Sequence, residues 1–346
     1  MKELTIIKPD DWHLHLREGI ILKNIINFSS DVFHRAIIMP NTKIPITSID
    51  KAVNYRKLIF EALPKGSKFK PLMTIYLTDN ISANELEKGY KNNIFFAAKL
   101  YPANATTNSS YGVKNIKNIY KIFELMEEIK MPLLIHGEVN DKDIDIFDRE
   151  EVFIDRELTS IISNFPKLKI VLEHITTSYA VDFVRGNDIG ATITPHHLHI
   201  NRNAMFFGGL NSDFYCLPVA KRESNRVSLI EAATSGDDCF FLGTDSAPHL
   251  RQWKAFCGCA GIFNAPVALS SYLKIFEEQK ALDKFEKFAS LNGPKFHNLR
   301  PNMEKITFIN EPHTIEEFIE IKENGEVKGK IKPFHSLENL NWQLKN

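Results

Sequence analysis

The chain has 346 residues, of which 43% are hydrophobic and 25% are charged, proportions that are ordinary for a globular protein. Its 43 lysines and arginines balance its 43 aspartates and glutamates, so no basic excess is available to displace counterions from a nucleic acid. This composition excludes wholesale disorder and argues against a nucleic-acid partner. An anionic ligand would therefore need a local cluster of positive groups.

The start of the chain and its longest uncharged stretch indicate in which cellular compartment the protein is expected. Residues 1–18 turn polar within seven positions, unlike a secretory signal, and four cysteines are too few for a disulfide scaffold. We therefore expect a cytoplasmic protein. The segment 255–273 carries no formal charge, but its small and polar residues predict a buried loop and helix rather than a membrane span.

Eight short apolar runs recur along the first 242 residues, and most of them lack polar alternation. Such runs are typical of parallel strands that are buried on both faces. The predicted strands are 4–7, 36–39, 72–77, 94–100, 133–135, 170–172, 191–194 and 239–242.

Segments with helical spacing lie between these runs. Apolar stripes at i, i+3 and i+4 predict helices over 52–63, 116–129 and 227–233, the last ending near Gly236. Eight strand–helix units in about 260 residues predict an α/β fold, a (β/α)8 TIM-type barrel. A doubly wound open sheet is the alternative.

The chain is expected to form one domain, 1–346. The barrel would span about 4–280, followed by a small C-terminal extension at about 281–346. In that extension the sequence predicts a helix from about Leu282, a short strand at 306–309 and an irregular tail.

Catalytic residues lie at the carboxyl ends of the strands in either fold, so the residues after each run are candidates. His13 and His15 follow the first run, and their spacing places both imidazoles on one side of an extended backbone. Lys99 lies inside the fourth run, where an unpaired ammonium would be costly. It either reaches the rim or a carboxylate, or it has a lowered pKa and reacts with CO₂ to give a carbamate that bridges two metals.

The later strands end in residues of the same kind. His136 and His174 end the fifth and sixth strands, and Asp245 and His249 follow the eighth. Four histidines and an aspartate at the ends of four strands suit Zn²⁺ with an open position for water. The sequence therefore predicts a metal site, although Mn²⁺, Co²⁺ or Fe²⁺ suit the same ligands.

These residues lie in segments that closely resemble the amidohydrolase superfamily and, within it, the short bacterial (class II) dihydroorotases. The matching segments are DWHLHLR at 11–17, MPNT at 39–42, KLYPANATTNSS at 99–110, LIHGE at 134–138, LEHITT at 172–177, YCLPVAKR at 215–222, TDSAPH at 244–249 and CGCAGIFNAP at 257–266. They cover nearly the whole chain in the family's order. The resemblance implies reversible cyclisation of N-carbamoyl-L-aspartate to L-dihydroorotate, a step of pyrimidine synthesis, by an enzyme that often forms homodimers.

The resemblance also implies two zinc ions per subunit. His13, His15 and Asp245 would hold the more buried ion, and His136 and His174 the more exposed one. Lys99, as N6-carboxylysine, would bridge both ions together with a hydroxide. Asp245 would act as general base and then as general acid.

The substrate contacts implied by the resemblance fall into four sets. Arg17, Asn41 and His249 would bind the α-carboxylate, although Arg17 could instead form a salt bridge at the rim. The remaining residues are the ring contacts Leu217, Ala260 and Gly261, the metal ligands His15 and His136 that also face the substrate, and Thr106 and Thr107 of a mobile lid. The lid loop, 103–112, is small and polar, which favours mobility.

Other polar clusters are interpreted as structural. They are His196, His197 and His199 after the seventh strand, the pair Cys257 and Cys259, and the carboxylates Asp11 and Glu138.

Three alternatives bear on function. Hydantoinases, dihydropyrimidinases and longer dihydroorotases usually build an extra β-sandwich from residues before the barrel, and a first strand at about Leu4 leaves no room for it. A deaminase-like enzyme with one zinc would not need Lys99. A barrel that serves only as a scaffold typically lacks ligands, whereas all six candidates are present here.

Overall fold

The computed structural model describes residues 2–345. Within this range the strands are β1 Glu3–Ile7, β2 Asp11–Leu14, β3 Arg35–Ile38, β4 Lys70–Tyr76, β5 Ala97–Leu100, β6 Leu133–His136, β7 Ile170–Glu173, β8 Gly190–Ile193, β9 Phe240–Leu242, β10 Lys305–Thr314, β11 Ile319–Glu323, β12 Glu326–Ile331 and β13 Asn339–Leu344. Strands β2 to β9 form one parallel sheet in chain order. Leu14 pairs with Ser246 just beyond β9, and this bridge joins the two edges of the sheet. The predicted (β/α)8 barrel is confirmed.

Helices connect successive strands. The α-helices are α1 Gly19–Ser30, α2 Ile49–Ala62, α3 Ala83–Lys91, α4 Tyr120–Ile129, α5 Arg149–Phe153, α6 Thr159–Asn164, α7 Ser178–Arg185, α8 Pro195–His199, α9 Glu223–Ser235, α10 Arg251–Cys257, α11 Ala268–Glu278, α12 Leu282–Glu286 and α13 Asn292–Phe296. Turns of 3₁₀ helix lie at Ile116–Ile119, Arg202–Met205, Ser212–Phe214 and Ala265–Val267, and π-helical turns lie at Ile154–Leu158 and Lys287–Leu291.

Local sequence signals explain where several helices begin and end. The side chain of Ser48 accepts a hydrogen bond from the backbone N–H of Lys51 and so caps the start of α2. Gly236 adopts a left-handed conformation, with φ of 85°, and ends α9 as the sequence predicts. The predicted helix at 116–129 is present as a 3₁₀ turn that continues into α4.

One of the eight predicted barrel strands is wrong. β1, predicted as 4–7, pairs antiparallel with β10, and the first barrel strand is β2. β1 is only half buried, which suits an antiparallel strand with one wet face rather than a barrel strand. β2 reads DWHL and lacks the aliphatic run that marked the other strands.

The residues outside the barrel form two small sheets. One joins β1, β10 and β13, and the other is the β11–β12 hairpin. The expectation that the residues before the barrel leave no room for part of an extra β-sandwich took the strand at about Leu4 as the first barrel strand, and this premise is wrong, because that strand belongs to the β1–β10–β13 sheet. The predicted strand at 306–309 lies within β10, but the tail expected to be irregular contains β11, β12 and β13.

The segment 255–273 contains the end of α10, a loop, a 3₁₀ turn and the start of α11, so the predicted loop and helix is confirmed. Among residues 2–345, no helix combines the length and the apolarity that a bilayer crossing requires. The cytoplasmic location and the homodimer stay predictions.

Two layers of side chains fill the barrel interior. The lower layer is the buried apolar cluster of Trp12, Ile37, Ala97, Leu134, Val171 and Phe241. Alternate residues of a strand face the same side, so two residues further along β5, β6 and β7 the chain places Lys99, His136 and Glu173. These three residues begin the upper layer, which lies towards the carboxyl ends of the strands and also contains His13, His15, His174 and Asp245.

Candidate metal centre and substrate pocket

The ring nitrogens of His13 and His15 converge on one carboxylate oxygen. Nε2 of His13 lies 3.2 Å from Nε2 of His15, and Oδ1 of Asp245 lies 3.3 Å and 3.1 Å from these two atoms. All three side chains are buried. Such a set of imidazole and carboxylate atoms could hold a divalent cation.

A second group of ring nitrogens lies beside the first. Nδ1 of His136 is 3.2 Å from Nε2 of His174, and Nε2 of His136 is 2.8 Å from Oε2 of Glu138. The rings of His174 and His13 are 4.9 Å apart between centroids. Glu138 thus holds the nitrogen of His136 that faces away from His174, an arrangement typical of carboxylates behind metal-binding histidines.

The backbone turns sharply where the strands end. His174, Asp245 and Arg17 have φ values of 45°, 46° and 58°, in the left-handed region that residues other than glycine rarely adopt. Such conformations cluster at functional sites, where the surrounding structure fixes them. On β7 the turn brings His174 into the barrel although its neighbour Glu173 already faces inward.

Glu173 is a member of the upper layer that the sequence analysis missed. Its carboxylate makes a very short contact with Nζ of Lys99, and Oε1 lies 3.0 Å from Nδ1 of His13 without the directionality of a hydrogen bond. The alternation on β7, from Val171 to Glu173, is the signal that could have identified it.

Burial and the neighbouring carboxylates shift the pKa of Lys99 in opposite directions. Burial lowers the pKa of Lys99, against the attraction of Glu173 and Asp245. A lowered pKa increases the share of free amine, which is the form that attacks CO₂. The contact with Glu173 fits the interpretation of Lys99 as one half of an ion pair, and the carboxylation stays a prediction.

The electrostatics of the first group favour a bound positive charge. Burial alone would lower the pKa of His13, but Glu173 and Asp245 outweigh burial and raise it to about 9. Burial alone would raise the pKa of Asp245, but His13 and His15 hold it well below its usual range. These side chains therefore attract a cation between them, and Nδ1 of His174 is buried without a hydrogen-bond partner in residues 2–345.

Arg17 lines the same pocket as this cluster. Its Nε donates to the carbonyl of Pro248 at 3.0 Å, and one terminal nitrogen lies 2.9 Å from Nε2 of His249. No carboxylate in residues 2–345 forms a salt bridge with it. A half-buried guanidinium without a carboxylate partner is a candidate site for an anionic ligand.

His249 meets two groups that one nitrogen cannot satisfy together. Its Nε2 lies 2.9 Å from the guanidinium of Arg17 and 2.9 Å from the carbonyl of Ala260. Burial lowers the pKa of His249 to about 2, so the ring is neutral. A neutral Nε2 either accepts from Arg17 or donates to Ala260, and an anion bound to Arg17 would free it to donate.

The predicted substrate residues line two adjoining cavities. The inner cavity is lined by His13, His15, Arg17, Asn41, Tyr101, Thr106, Thr107, His136, His174, Leu217, Asp245, Ala247, Ala260 and Gly261. The outer cavity, of about 340 Å³, is lined by His249 and Trp253 and shares Arg17 and Asn41 with the inner one. The structure thus brings all the predicted substrate residues together, and Lys99 is fully buried.

The loop 103–112 covers the inner cavity. Thr107 donates its hydroxyl to the carbonyl of Ala260 at 3.3 Å and accepts a bond from the Asn41 amide at 3.1 Å. Asn108 returns a bond to the carbonyl of Asn41 at 3.0 Å. These bonds tie the loop to Asn41 and Ala260 of the cavity wall, and its mobility stays a prediction.

The polar clusters interpreted as structural have partners in the fold. His197 contacts the Thr194 hydroxyl at 2.8 Å and the Pro218 carbonyl at 3.0 Å, so both ring nitrogens are occupied although Cys216 and His196 lie near enough for a shared ion. His199 contacts the Ser271 carbonyl at 2.9 Å.

Two further features of these clusters concern cysteines and a carboxylate. Cys257 and Cys259 form a disulfide, which the sequence analysis did not foresee. Asp11 accepts hydrogen bonds from the backbone and hydroxyl of Thr244 at 2.8 Å and 2.6 Å, and so joins β2 to the segment after β9.

Comparison with known proteins gives consistent matches. Residues 5–312 match the Amidohydrolase family. A dihydroorotase of Synechococcus sp. strain RCC307 is 55% identical over 346 residues, which cover 99% of this chain and 98% of the relative. A dihydroorotase of Erythrobacter litoralis strain HTCC2594 is 54% identical, with 99% of each chain covered.

Solved structures agree. Dihydroorotase from Campylobacter jejuni superposes with a TM-score of 0.90 at 33% identity, covering 99% of this chain and 98% of its own. Dihydroorotase from Saccharomyces cerevisiae, solved in complex with 5-fluoroorotic acid, has a TM-score of 0.90 at 31% identity, covering 100% and 99%. An L-hydantoinase from Arthrobacter aurescens, at 14% identity, 99% and 83% coverage and a TM-score of 0.79, shares the fold.

Proposed function

This chain belongs to the amidohydrolase family and, within it, to the dihydroorotases, and we propose that it catalyses the reversible cyclisation of N-carbamoyl-L-aspartate to L-dihydroorotate with loss of water. The observation that carries the proposal is the pairing of two features in one pocket. A buried cluster of imidazoles and carboxylates lines it, and so does Arg17, which has no carboxylate partner within residues 2–345. Opening a cyclic amide that bears a carboxylate requires both features.

The donor set of the upper layer fits two zinc ions per subunit. His13, His15 and Asp245 would hold one ion, and His136 and His174 would hold the other. Lys99 in its N6-carboxylated form would bridge them together with a hydroxide. When bound, the ions supply hydroxide at neutral pH and polarise the amide carbonyl.

Asp245 moves the proton. In the hydrolytic direction its carboxylate accepts the proton of the attacking hydroxide and delivers it to the leaving amide nitrogen, so that one group serves as base and then as acid. Its position supports this role, because Asp245 lines the inner cavity and is held by contacts with His13 and His15. The reverse direction runs through the same proton positions.

Arg17, Asn41 and His249 bind and orient the substrate. The guanidinium forms a bidentate pair with the α-carboxylate, and the Asn41 amide and the His249 ring add hydrogen bonds. The backbones of Leu217, Ala260 and Gly261 face the pyrimidine ring. Because the chain is neutral overall, this local positive field is what attracts the anionic substrate.

The loop 103–112 excludes water from the pocket. Its residues Thr106 and Thr107 line the inner cavity, and Thr107 also contacts the carbonyl of Ala260. We propose that this loop opens to admit substrate and closes during turnover. We also propose that the enzyme is cytoplasmic, consists of a single domain and acts as a homodimer on a small molecule.

The test is a ring-opening assay with the purified, zinc-loaded protein. Dihydroorotate should be hydrolysed, a chelator should abolish turnover, and added zinc should restore it. Dihydrouracil is the matched control, because it has the same cyclic amide without the carboxylate and leaves Arg17 without a partner. Hydrolysis of dihydrouracil with none of dihydroorotate would overturn the proposal and favour a hydantoinase-like activity.

The carboxylation of Lys99 has a separate test. Protein prepared with ¹³C-labelled bicarbonate should show a carbamate carbon resonance, and a Lys99→Arg variant should lack it. A free ammonium on Lys99 in a crystal of the zinc-loaded protein would refute the bridge.

A further inference from the structure

We propose that Lys254 is a positioning residue that holds the ring-binding backbone of the pocket in place. Lys254 lies on α10 and is only 6% exposed. Its Nζ lies 2.9 Å from the carbonyl oxygen of Tyr215, 3.0 Å from that of Cys259 and 2.8 Å from that of Gly261. An ammonium has three N–H donors, and each of them meets a different carbonyl.

The three carbonyls belong to two segments that both face the inner cavity. Tyr215 precedes Leu217 by two residues, and Cys259 and Gly261 flank Ala260. The segments also meet directly, since the backbone N–H of Gly261 donates to the Tyr215 carbonyl at 3.0 Å. Lys254 therefore joins the two stretches of backbone that present Leu217 and Ala260 to the pocket.

Neither segment has the support of a regular element at these residues, because both lie between helices. Gly261 has a φ of 142°, and a Cβ placed on it would lie 2.7 Å from the carbonyl of Ala247. The segment 259–261 is thus pressed against the chain next to His249. A displacement of this segment would move the ring contacts and also the Ala260 carbonyl that His249 meets.

The metal ligands do not depend on this arrangement. His13, Lys99 and His136 lie on barrel strands, and Asp245 is held through the backbone bond that it donates to the His13 carbonyl at 2.8 Å. Loss of Lys254 should therefore weaken substrate binding far more than metal binding or the chemical step. This inference rests on the proposed function, since it takes Leu217 and Ala260 as contacts to the substrate ring.

The charge of Lys254 makes the effect depend on pH. Burial lowers the pKa of Lys254 to about 8, with Cys216 and Asp213 opposing the shift and Arg17 adding to it. Burial raises the pKa of the Cys216 thiol to about 12, so it stays neutral, and Asp213 pairs with Lys332 at 3.0 Å. Below about pH 8 the ammonium donates to all three carbonyls. Above it the neutral amine has only two N–H donors, so one of the carbonyls faces the nitrogen lone pair.

The experiment compares the zinc-loaded wild type with Lys254→Met and with Arg251→Met, which removes an exposed cation from the same helix. Lys254→Met should raise KM for dihydroorotate about tenfold or more, because three charge-assisted hydrogen bonds are lost. Its kcat should stay within about threefold and its zinc content should not change. Arg251→Met should match the wild type in all three quantities.

A KM within about twofold of the wild type in folded Lys254→Met would overturn this role while leaving the proposed function intact. If that variant does not fold, the wild type provides the test, because its KM should rise between about pH 7 and about pH 9.5. A flat KM over that range would equally overturn the role. Failure of the wild type to hydrolyse dihydroorotate would instead refute the proposed function, and the role with it.

Discussion

The lower and upper layers of the barrel interior come from the same strands, two residues apart. Ala97, Leu134 and Val171 in the lower layer are buried apolar side chains. Lys99 and Glu173, one step towards the carboxyl ends, are equally buried but ionisable. Because the side chains of both layers are buried, burial alone does not separate a packing residue from a functional one.

The chemical difference between the layers shows how the molecule divides its tasks. Lower-layer side chains bury apolar surface against one another, which stabilises the barrel without any need for charge compensation. Upper-layer side chains hold charges that stabilise one another only in this arrangement, and burying them is costly unless a cation or a partner is present. Substitutions in the two layers should therefore separate stability from activity.

The largest effect is expected for Asp245→Asn in the upper layer. The amide cannot carry the proton between the nucleophile and the leaving nitrogen, so kcat should fall by about 10³-fold or more. The measurement is the ring-opening rate, with circular dichroism to verify the fold. A kcat within about tenfold of the wild type would show that another group moves the proton.

Phe241→Ala tests the lower layer. Removing a fully buried phenylalanine should reduce the free energy of unfolding by about 3–5 kcal/mol, as measured by denaturant titration. Val227→Ala, at a partly exposed position on α9, is the control and should change stability little. If the folded fraction of Phe241→Ala lost turnover as completely as Asp245→Asn, the division between the layers would be wrong.

Arg17→Met should raise KM for dihydroorotate by about a hundredfold, because the bidentate pair with the carboxylate is lost. Zinc content should stay the same, since Arg17 contacts His249 and Pro248 rather than the cluster. The check is a kinetic comparison alongside metal analysis. Unchanged kinetics would remove the role assigned to Arg17.

Glu173→Gln is expected to have the smallest effect of the four. The amide keeps its size but loses the charge beside Lys99 and His13, so zinc affinity should fall by about tenfold. Competition with a chelator of known affinity measures this directly, without reference to activity. Unchanged zinc affinity would mean that Glu173 only compensates the charge of the buried Lys99.

The sequence predicted most of the barrel because its strands are uninterrupted apolar runs that need no knowledge of their neighbours. β2 was not predicted, because its sequence DWHL carries upper-layer residues and has no aliphatic run. The β11–β12 hairpin was not predicted, because its faces are rich in lysine and glutamate. Asn324-Gly325 between two short alternating segments is nevertheless a strong hairpin signal.

At the site, the sequence predicted those residues at strand ends whose side-chain type is itself typical of metal binding. Glu173 lies next to His174 in the sequence, and the two side chains enter the barrel for different reasons: Glu173 by the register of β7, and His174 by the backbone turn at its positive φ. Lys254 could not be predicted at all, because its partners are backbone carbonyls that any sequence provides. Only the packed fold shows which carbonyls converge on it.

Zinc reconstitution of the metal-free protein tests the central claim most directly. Ring opening of dihydroorotate should be absent at first, rise with added zinc and reach a plateau at about two equivalents per chain, as two ions in the upper layer require. Turnover without metal, or a fully zinc-loaded protein that leaves dihydroorotate intact, would contradict the account.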